Sequence, residues 1–204
     1  MSEFVEVKAS KSSLSKRKLV HGIGVNDAWY VVTRVVDGQN TKCPFYGRWL
    51  AMIVRCYSSR YHKNKPTYRD CTVCNEWLTF SNFKSWMIKQ DWKGKHLDKD
   101  LIKQGNKVYS PDLCLFVTGS INSFLLDRKL GRGAHPQGVH FHAPTGKYIA
   151  SVSIDGKRRH IGLLATPELA FESYKAAKYA IIKDMALKQS EPLKSALLNY
   201  VINP

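Results

Sequence analysis

The sequence predicts an α+β fold whose clearest part is a three-stranded antiparallel sheet packed on one helix near the C-terminus. Three observations predict it. Residues 137–163 hold three short β-type runs separated by two turns, Pro144-Thr145-Gly146 and Asp155-Gly156. Asp-Gly suits a type I′ hairpin, whose two central residues both need φ > 0. The middle run alternates, with Tyr148, Ala150, Val152 and Ile154 on one face and Lys147, Ile149, Ser151 and Ser153 on the other. A helical segment then begins with Thr166 at the N-cap and Pro167 at the first helical position, and Ala170, Phe171, Tyr174, Ala177, Lys178 and Ile181 recur at helical spacing. That stripe is expected to cover the apolar face of the sheet.

The elements before it are read in order. Residues 1–25 are a basic arm, expected to be flexible; residues 1–20 carry Lys8, Lys11, Lys16, Arg17 and Lys18 against Glu3 and Glu6. Trp29–Val36 is a strand candidate closed by Asp37-Gly38. Phe45–Tyr57 reads as a helix with Tyr46, Trp49, Leu50, Ile53 and Tyr57 in one stripe, and residues 63–72 are polar and turn-like. Ser81–Trp92 reads as a second helix with Ser81 as N-cap and Phe83, Trp86, Met87 and Gln90 inward. Trp49, Trp77, Phe80, Phe83 and Trp86 are expected in a core rather than as stacking platforms for bases. Asp98–Ile102 and Leu115–Val117 are short strands, Ser120–Arg128 is a short helix, and Ser190–Asn199 is a final helix with Pro192 in its first turn. Gly131, Gly133 and Pro136 break the chain, so residues 131–137 are expected to link a 26–130 module to a 138–204 domain.

Composition bounds the function. Thirty-two Lys and Arg against sixteen Asp and Glu give a formal charge of +16, with a pI near 9.7. Nucleic acid is the natural partner of such a chain. No apolar run approaches the roughly 20 residues of a membrane-spanning helix, so no membrane partner is expected. The opening residues Met1–Val7 lack the pattern of a signal peptide. Five cysteines without an export signal point to a reducing compartment, where they serve as thiols or metal ligands. Cys71-Thr-Val-Cys74 has knuckle spacing, and with Cys43 and Cys56 would supply four thiolates for a structural Zn²⁺. The alternative is small buried thiols, as for Cys114.

Residues 138–186 resemble the plant APETALA2/ethylene-response-factor DNA-binding domain and its relatives in mobile-element endonucleases. The resemblance rests on Gly138-Val139, Gly146-Lys147-Tyr148, Ile161-Gly162 and Thr166-Pro167-Glu168-Leu169-Ala170 with Tyr174 and Ala177. It implies a basic sheet face in the major groove of double-stranded DNA, contacting it through His140, His142, Lys147, Ser151, Ser153, Lys157, Arg158 and His160. Plant members place arginines at His140 and His142, Glu and Arg at Ser151 and Ser153, and Trp at His160. Their DNA sequence preference therefore does not carry over.

Residues 110–122 resemble the second half of an HNH nuclease motif, the ββα-metal type of module, with Asn122 at its last Asn and Leu113 at its middle one. The position usually holding Asp-His or His-His falls at Leu97-Asp98-Lys99-Asp100, with His96 the nearest imidazole. Such a site needs an imidazole base and ligands for a divalent ion. Asp98 and Asp100, on one face of a strand, would hold Mg²⁺ or Mn²⁺; the alternative is a solvated hairpin edge. Lys99 cannot act as base unless its pKa falls by several units. Over residues 26–186 the chain is similar to a bacteriophage family of HNH-endonuclease-like proteins with an APETALA2-type domain, through Cys43–Trp49, Met52–Tyr57, Pro66–Trp77, Phe80–Met87 and Leu97–Asp100. That resemblance implies the cytoplasm of an infected bacterium. Three readings follow: a DNA-binding protein descended from a homing-type HNH nuclease with an eroded active site, an active metal-dependent endonuclease or nickase using Asp98, Asp100, His96 and Asn122, and a basic interaction protein acting on a host nucleoprotein such as a polymerase or ribosome.

Overall fold

The computed structural model describes residues 4–126 and 134–203. The chain divides into two compact units, Met1–Lys93 with Gly105–Phe116, and Gly94–Gln104 with Val117–Pro204. The linker expected at 131–137 lies mostly outside the described residues, and the division between units falls elsewhere: segments 94–104 and 117–126 group with the C-terminal sheet rather than with the N-terminal module.

In the first unit residues 4–25 of the expected flexible arm are folded. A helical turn α1, Lys11–Ser15, follows the Ser10 cap, and Lys8 bridges to Tyr30, with Ala9 N donating to Trp29 O at 3.0 Å and Val31 N to Val7 O at 2.9 Å. Arg17 sequence-wise looks like part of a charge run. Its planar fork instead donates to three backbone carbonyls, those of Asn26 (3.0 Å), Ala28 and Tyr30 (2.8 Å), which a guanidinium can do at once. The strand expected from Trp29 begins only at Thr33: β1, Thr33–Val36, and β2, Gln39–Lys42, form a hairpin. Asp37 (φ 50) and Gly38 (φ 75) make its turn, so this Asp-Gly pair closes a hairpin whose second, polar strand carries no hydrophobic signal.

Helix α2, Pro44–Tyr57, is as long as its sequence pattern implies, but its buried face is Trp49, Met52, Ile53 and Cys56. Tyr46, Leu50 and Tyr57 are only half-buried. A short helix α3, Ser59–Asn64, starts at Ser58, whose hydroxyl accepts from Tyr61 N at 3.3 Å, and a 3-10 turn over Pro66–Tyr68 follows. The polar composition had hidden this helix. β3, Thr72–Val73, leads through a 3-10 turn, Asn75–Leu78, into α4, Phe80–Met87. Its N-cap is Thr79, not Ser81; Ser81 N is instead taken by Asp27 Oδ1 at 2.9 Å. Trp49, Trp77, Phe80 and Phe83 are at most 1 % exposed, so these aromatics form the core of the unit, each contributing about 1.5–3 kcal/mol or more on burial. The Trp49 indole also donates to Trp77 O at 2.7 Å, which removes the cost of burying its N–H.

β4 is His96–Asp98, two residues upstream of the expected strand, and β5, Val108–Tyr109, pairs in parallel with β3 in the first unit. β6 is Leu115–Val117, and α5, Gly119–Leu125, is capped by Thr118, whose hydroxyl accepts from Ile121 N at 3.3 Å.

The second unit centres on the expected antiparallel sheet, β7 Val139–His142, β8 Lys147–Ile154 and β9 Lys157–Leu164, in the order β7-β8-β9. Asp155 (φ 49) and Gly156 (φ 74) form the β8–β9 turn. The register shifts once: Ala150 faces Gly162 and Ser151 faces His160, leaving Ile161 as the extra residue of a bulge. Helix α6, Pro167–Leu187, is capped by Thr166, whose hydroxyl accepts from Leu169 N at 3.3 Å, and packs on all three strands. It buries Ala170, Phe171, Tyr174, Lys178, Ile182 and Ala186; past Lys178 the stripe follows 182 and 186, not Ile181, which is half-buried. Gly138 (φ 79) lies so close to Tyr174 that a Cβ there would come within 2.1 Å of the ring. The buried Lys178 ammonium donates to Gln137 Oε1 at 3.0 Å and lies 5.5 Å from the Phe124 ring centroid. The final helix α7 is Leu193–Leu198, shorter than expected, and buries Leu193, Ala196 and Leu197.

Candidate nucleic-acid interface

Strand alternation decides which side chains α6 covers. Val139, Ala150 and Val152 are buried on its side. The opposite face is fixed by register: His142 stands across from Lys147, His140 from Ile149, Ile149 from Leu163, Ser151 from His160, and Ser153 from Arg158. The sheet thus brings His140, His142, Lys147, Ser151, Ser153, Arg158 and His160 to one face. His140, Lys147, Ser153, Arg158 and His160 are exposed and His142 is half-buried. Lys157 is the exception. It pairs with Ile154, so alternation puts it on the other face at the hairpin tip.

Arg158 organises this face. Its Nε donates to Ser151 Oγ at 2.9 Å, and its Nη2 meets the His140 ring at Nε2. Ser151 is 5 % exposed, and its hydroxyl, expected as a direct contact, is taken up by the Arg158 guanidinium, which it supports. Burial first, and the adjacent Arg158 cation second, hold the His140 imidazole below its ordinary pKa. A neutral ring can accept from Arg158, and a protonated one cannot. His142 Nδ1 is 2.8 Å from Thr145 Oγ1. The only acid of the strands and their turns, Asp155, accepts from Ser120 Oγ at 2.5 Å. One contributor was not visible in the sequence: Leu163, 40 % exposed, completes a small apolar strip with Ile149. Pairing register, which the bulge alters, was the missing signal. Arg159, across from Val152, lies like Lys157 on the helix side of the sheet.

The HNH-like residues are arranged differently from a metal site. Asp98 ends β4, and its Oδ1 accepts from the backbone N of Asp100 and of Leu101, both at 2.8 Å. Asp100 has left the strand, so the two carboxylates do not share a strand face. Asp100 Oδ1 is 2.7 Å from Lys99 Nζ, and Lys99 is 6 % exposed. Burial pushes the Asp98 carboxyl above its ordinary pKa, against the pull of the two amides. Asp98 is a turn cap, and Asp100 is the counter-ion of a buried lysine. The Oδ1 atoms that a divalent ion would take from this pair are already engaged, and the two carboxylates are not aligned by one strand. His96 is exposed and its ring lies beside the first turn of α5, 3.5 Å from where a Gly119 Cβ would stand. Asn122 is half-buried in α5.

The four thiols expected to bind zinc are dispersed by their surroundings. Cys43 Sγ lies 3.3 Å from the Tyr30 hydroxyl, Cys56 is on the buried face of α2, and Cys71 Sγ lies 4.0 Å from Thr67 O. Burial raises the Cys74 thiol above its ordinary value. Among the described residues no group of three or more His, Cys, Asp or Glu is placed to hold a metal ion. Nor is any helix among them long and apolar enough to cross a membrane. Comparison of the chain with known protein families, with characterised proteins and with solved structures found no match.

Proposed function

We propose that the protein binds double-stranded DNA by laying the outer face of β7–β9 in the major groove, and that it descends from a homing-type HNH nuclease whose catalytic residues now serve the fold. The observation that carries this reading is the register-defined face itself. Its helix side is sealed by α6, and its open side gathers Lys147, Arg158, His160 and His140 around a narrow apolar strip. A sheet ribbon of this width fits the major groove. Lysines and arginines neutralise phosphates, histidine and serine offer hydrogen bonds to base edges, and Ile149 with Leu163 suits a thymine methyl. The net charge of +16 supplies the long-range attraction.

We do not propose cleavage: Asp98 Oδ1 caps a turn, Asp100 Oδ1 pairs with Lys99, and Asp100 lies beyond the end of the strand that carries Asp98. The test is the affinity for a labelled duplex of about 30 bp across a salt series. If about five to seven phosphates are neutralised, log K falls with log salt at a slope of about −5 to −6. A flat salt response overturns the proposal.

A further inference from the structure

The first unit carries a second concentration of positive charge that the sheet does not account for. Residues 55–69 contain Arg55, Arg60, Lys63, Lys65 and Arg69 and no Asp or Glu. The fold gathers this segment into one surface. α3 packs against the 3-10 turn Pro66–Tyr68, the Tyr61 and Tyr68 rings meet edge to face at 5.7 Å, and His62 Nε2 lies 2.8 Å from Arg55 O. Pairing of β3 with β5 then brings in Lys107, whose Nζ donates to Thr67 O at 3.3 Å. Arg60, Lys63, Lys65, Arg69 and Lys107 are exposed. Among the described residues none of these five is ion-paired. The nearest acid in sequence, Asp70, is a single charge against five.

We propose that this surface of α3, the Pro66–Tyr68 turn and Lys107 is a second, sequence-independent binding site for the phosphate backbone of nucleic acid. Like charges gathered on one face repel one another, and a polyanion that releases counterions relieves this while drawing affinity from charge alone. An acidic protein or an anionic membrane fits less well. Both kinds of interface lean on exposed apolar anchors, yet among the described residues no large apolar side chain between Val36 and Ile88 is exposed. Tyr61 and Tyr68 spend their rings on each other, so base stacking is not the mode. The site rests on the DNA-binding reading for its biological sense but not for its chemistry.

The experiment uses the full chain in three forms: Lys63→Ala/Lys65→Ala/Arg69→Ala, Arg158→Ala, and a control of equal charge change, Lys18→Ala/Lys183→Ala/Lys188→Ala, whose side chains are exposed elsewhere. Circular dichroism confirms that each is folded. The site requires that the patch variant lose about tenfold or more in duplex affinity at about 50 mM salt and flatten the salt slope by about 2–3, on duplexes of any sequence. The control must change less. Equal losses in patch and control variants overturn the proposal, as does an unchanged salt slope accompanied by lost binding to phosphatidylserine vesicles. Loss in the patch variant with wild-type binding by Arg158→Ala upholds this site and removes the sheet reading. The reverse pattern upholds the sheet reading and removes this site.

Discussion

Arg158 Nε donates to Ser151 Oγ at 2.9 Å on a diagonal across β8 and β9, since the direct cross-strand partner of Arg158 is Ser153 and that of Ser151 is His160. The bond, with the contact to His140, holds a long and otherwise floppy cation against the open face of the sheet. Prior ordering of this kind lowers the entropy that binding must overcome.

Removing the guanidinium and removing its support should therefore differ. Arg158→Ala should weaken duplex affinity by roughly 1–3 kcal/mol, with its melting temperature changed little because Arg158 is exposed, and Ser151→Ala should weaken affinity by less. Fluorescence anisotropy with a labelled duplex, beside thermal melts, checks both.

The backbone at the start of β7 should be the least tolerant point of the second unit. Gly138 has φ 79 and no room for a Cβ beside Tyr174. Gly138→Ala should destabilise by more than about 2 kcal/mol, through strain and overpacking together. Tyr174→Ala, a buried large-to-small change, should cost about 3–5 kcal/mol. Tyr148 is only half-buried between the His135 and Phe141 rings, so Tyr148→Ala should cost less than Tyr174→Ala. Urea denaturation ranks the three.

Acidification should weaken the fold through His140. Its folded pKa lies below the ordinary value, so the unfolded chain takes up the proton first. The stability this group contributes is full above its unfolded pKa of about 6.5 and is lost as pH falls toward the folded value. Wild type should therefore lose more stability between about pH 7 and 5 than His140→Asn, read by melts at each pH. Equal pH profiles would show that the His140 proton is not linked to folding.

Asp98 should behave as a turn cap. Asp98→Ala removes the acceptor of two backbone N–H groups and should cost about 1–3 kcal/mol, while duplex affinity stays near wild type. Supercoiled plasmid with Mg²⁺ or Mn²⁺ should remain intact with either protein. Metal-dependent nicking by wild type that Asp98→Ala abolishes would contradict this.

The C-terminal sheet and helix were legible because each local signal agreed with the tertiary result: alternation in β8, Asp155-Gly156 in the turn, and the Thr166-Pro167 start of α6. Features decided by contacts at long sequence separation left no local signal. The basic terminus looked like a loose arm because nothing local shows that the carbonyls of Asn26, Ala28 and Tyr30 will converge on Arg17. β2 and α3 are polar, so no periodicity marked them. Lys157 and Ser151 had the right residue types for contacts, but register puts one on the other face and packing puts the other beneath Arg158. Asp98 and Asp100 had metal-ligand spacing for a strand, and the chain turns between them. The Lys63–Arg69 charges were in plain view, yet only the fold gathers them with Lys107.

Amide chemical-shift mapping of the full chain against a duplex of about 30 bp tests most directly whether the open face of β7–β9 touches DNA. The largest shifts should fall on residues 139–160 of the sheet, with a second group at residues 60–69 and 107, while the solvent face of α6 around Lys183 stays still. Saturable binding that shifts neither His140, Lys147, Arg158 nor His160 would contradict it.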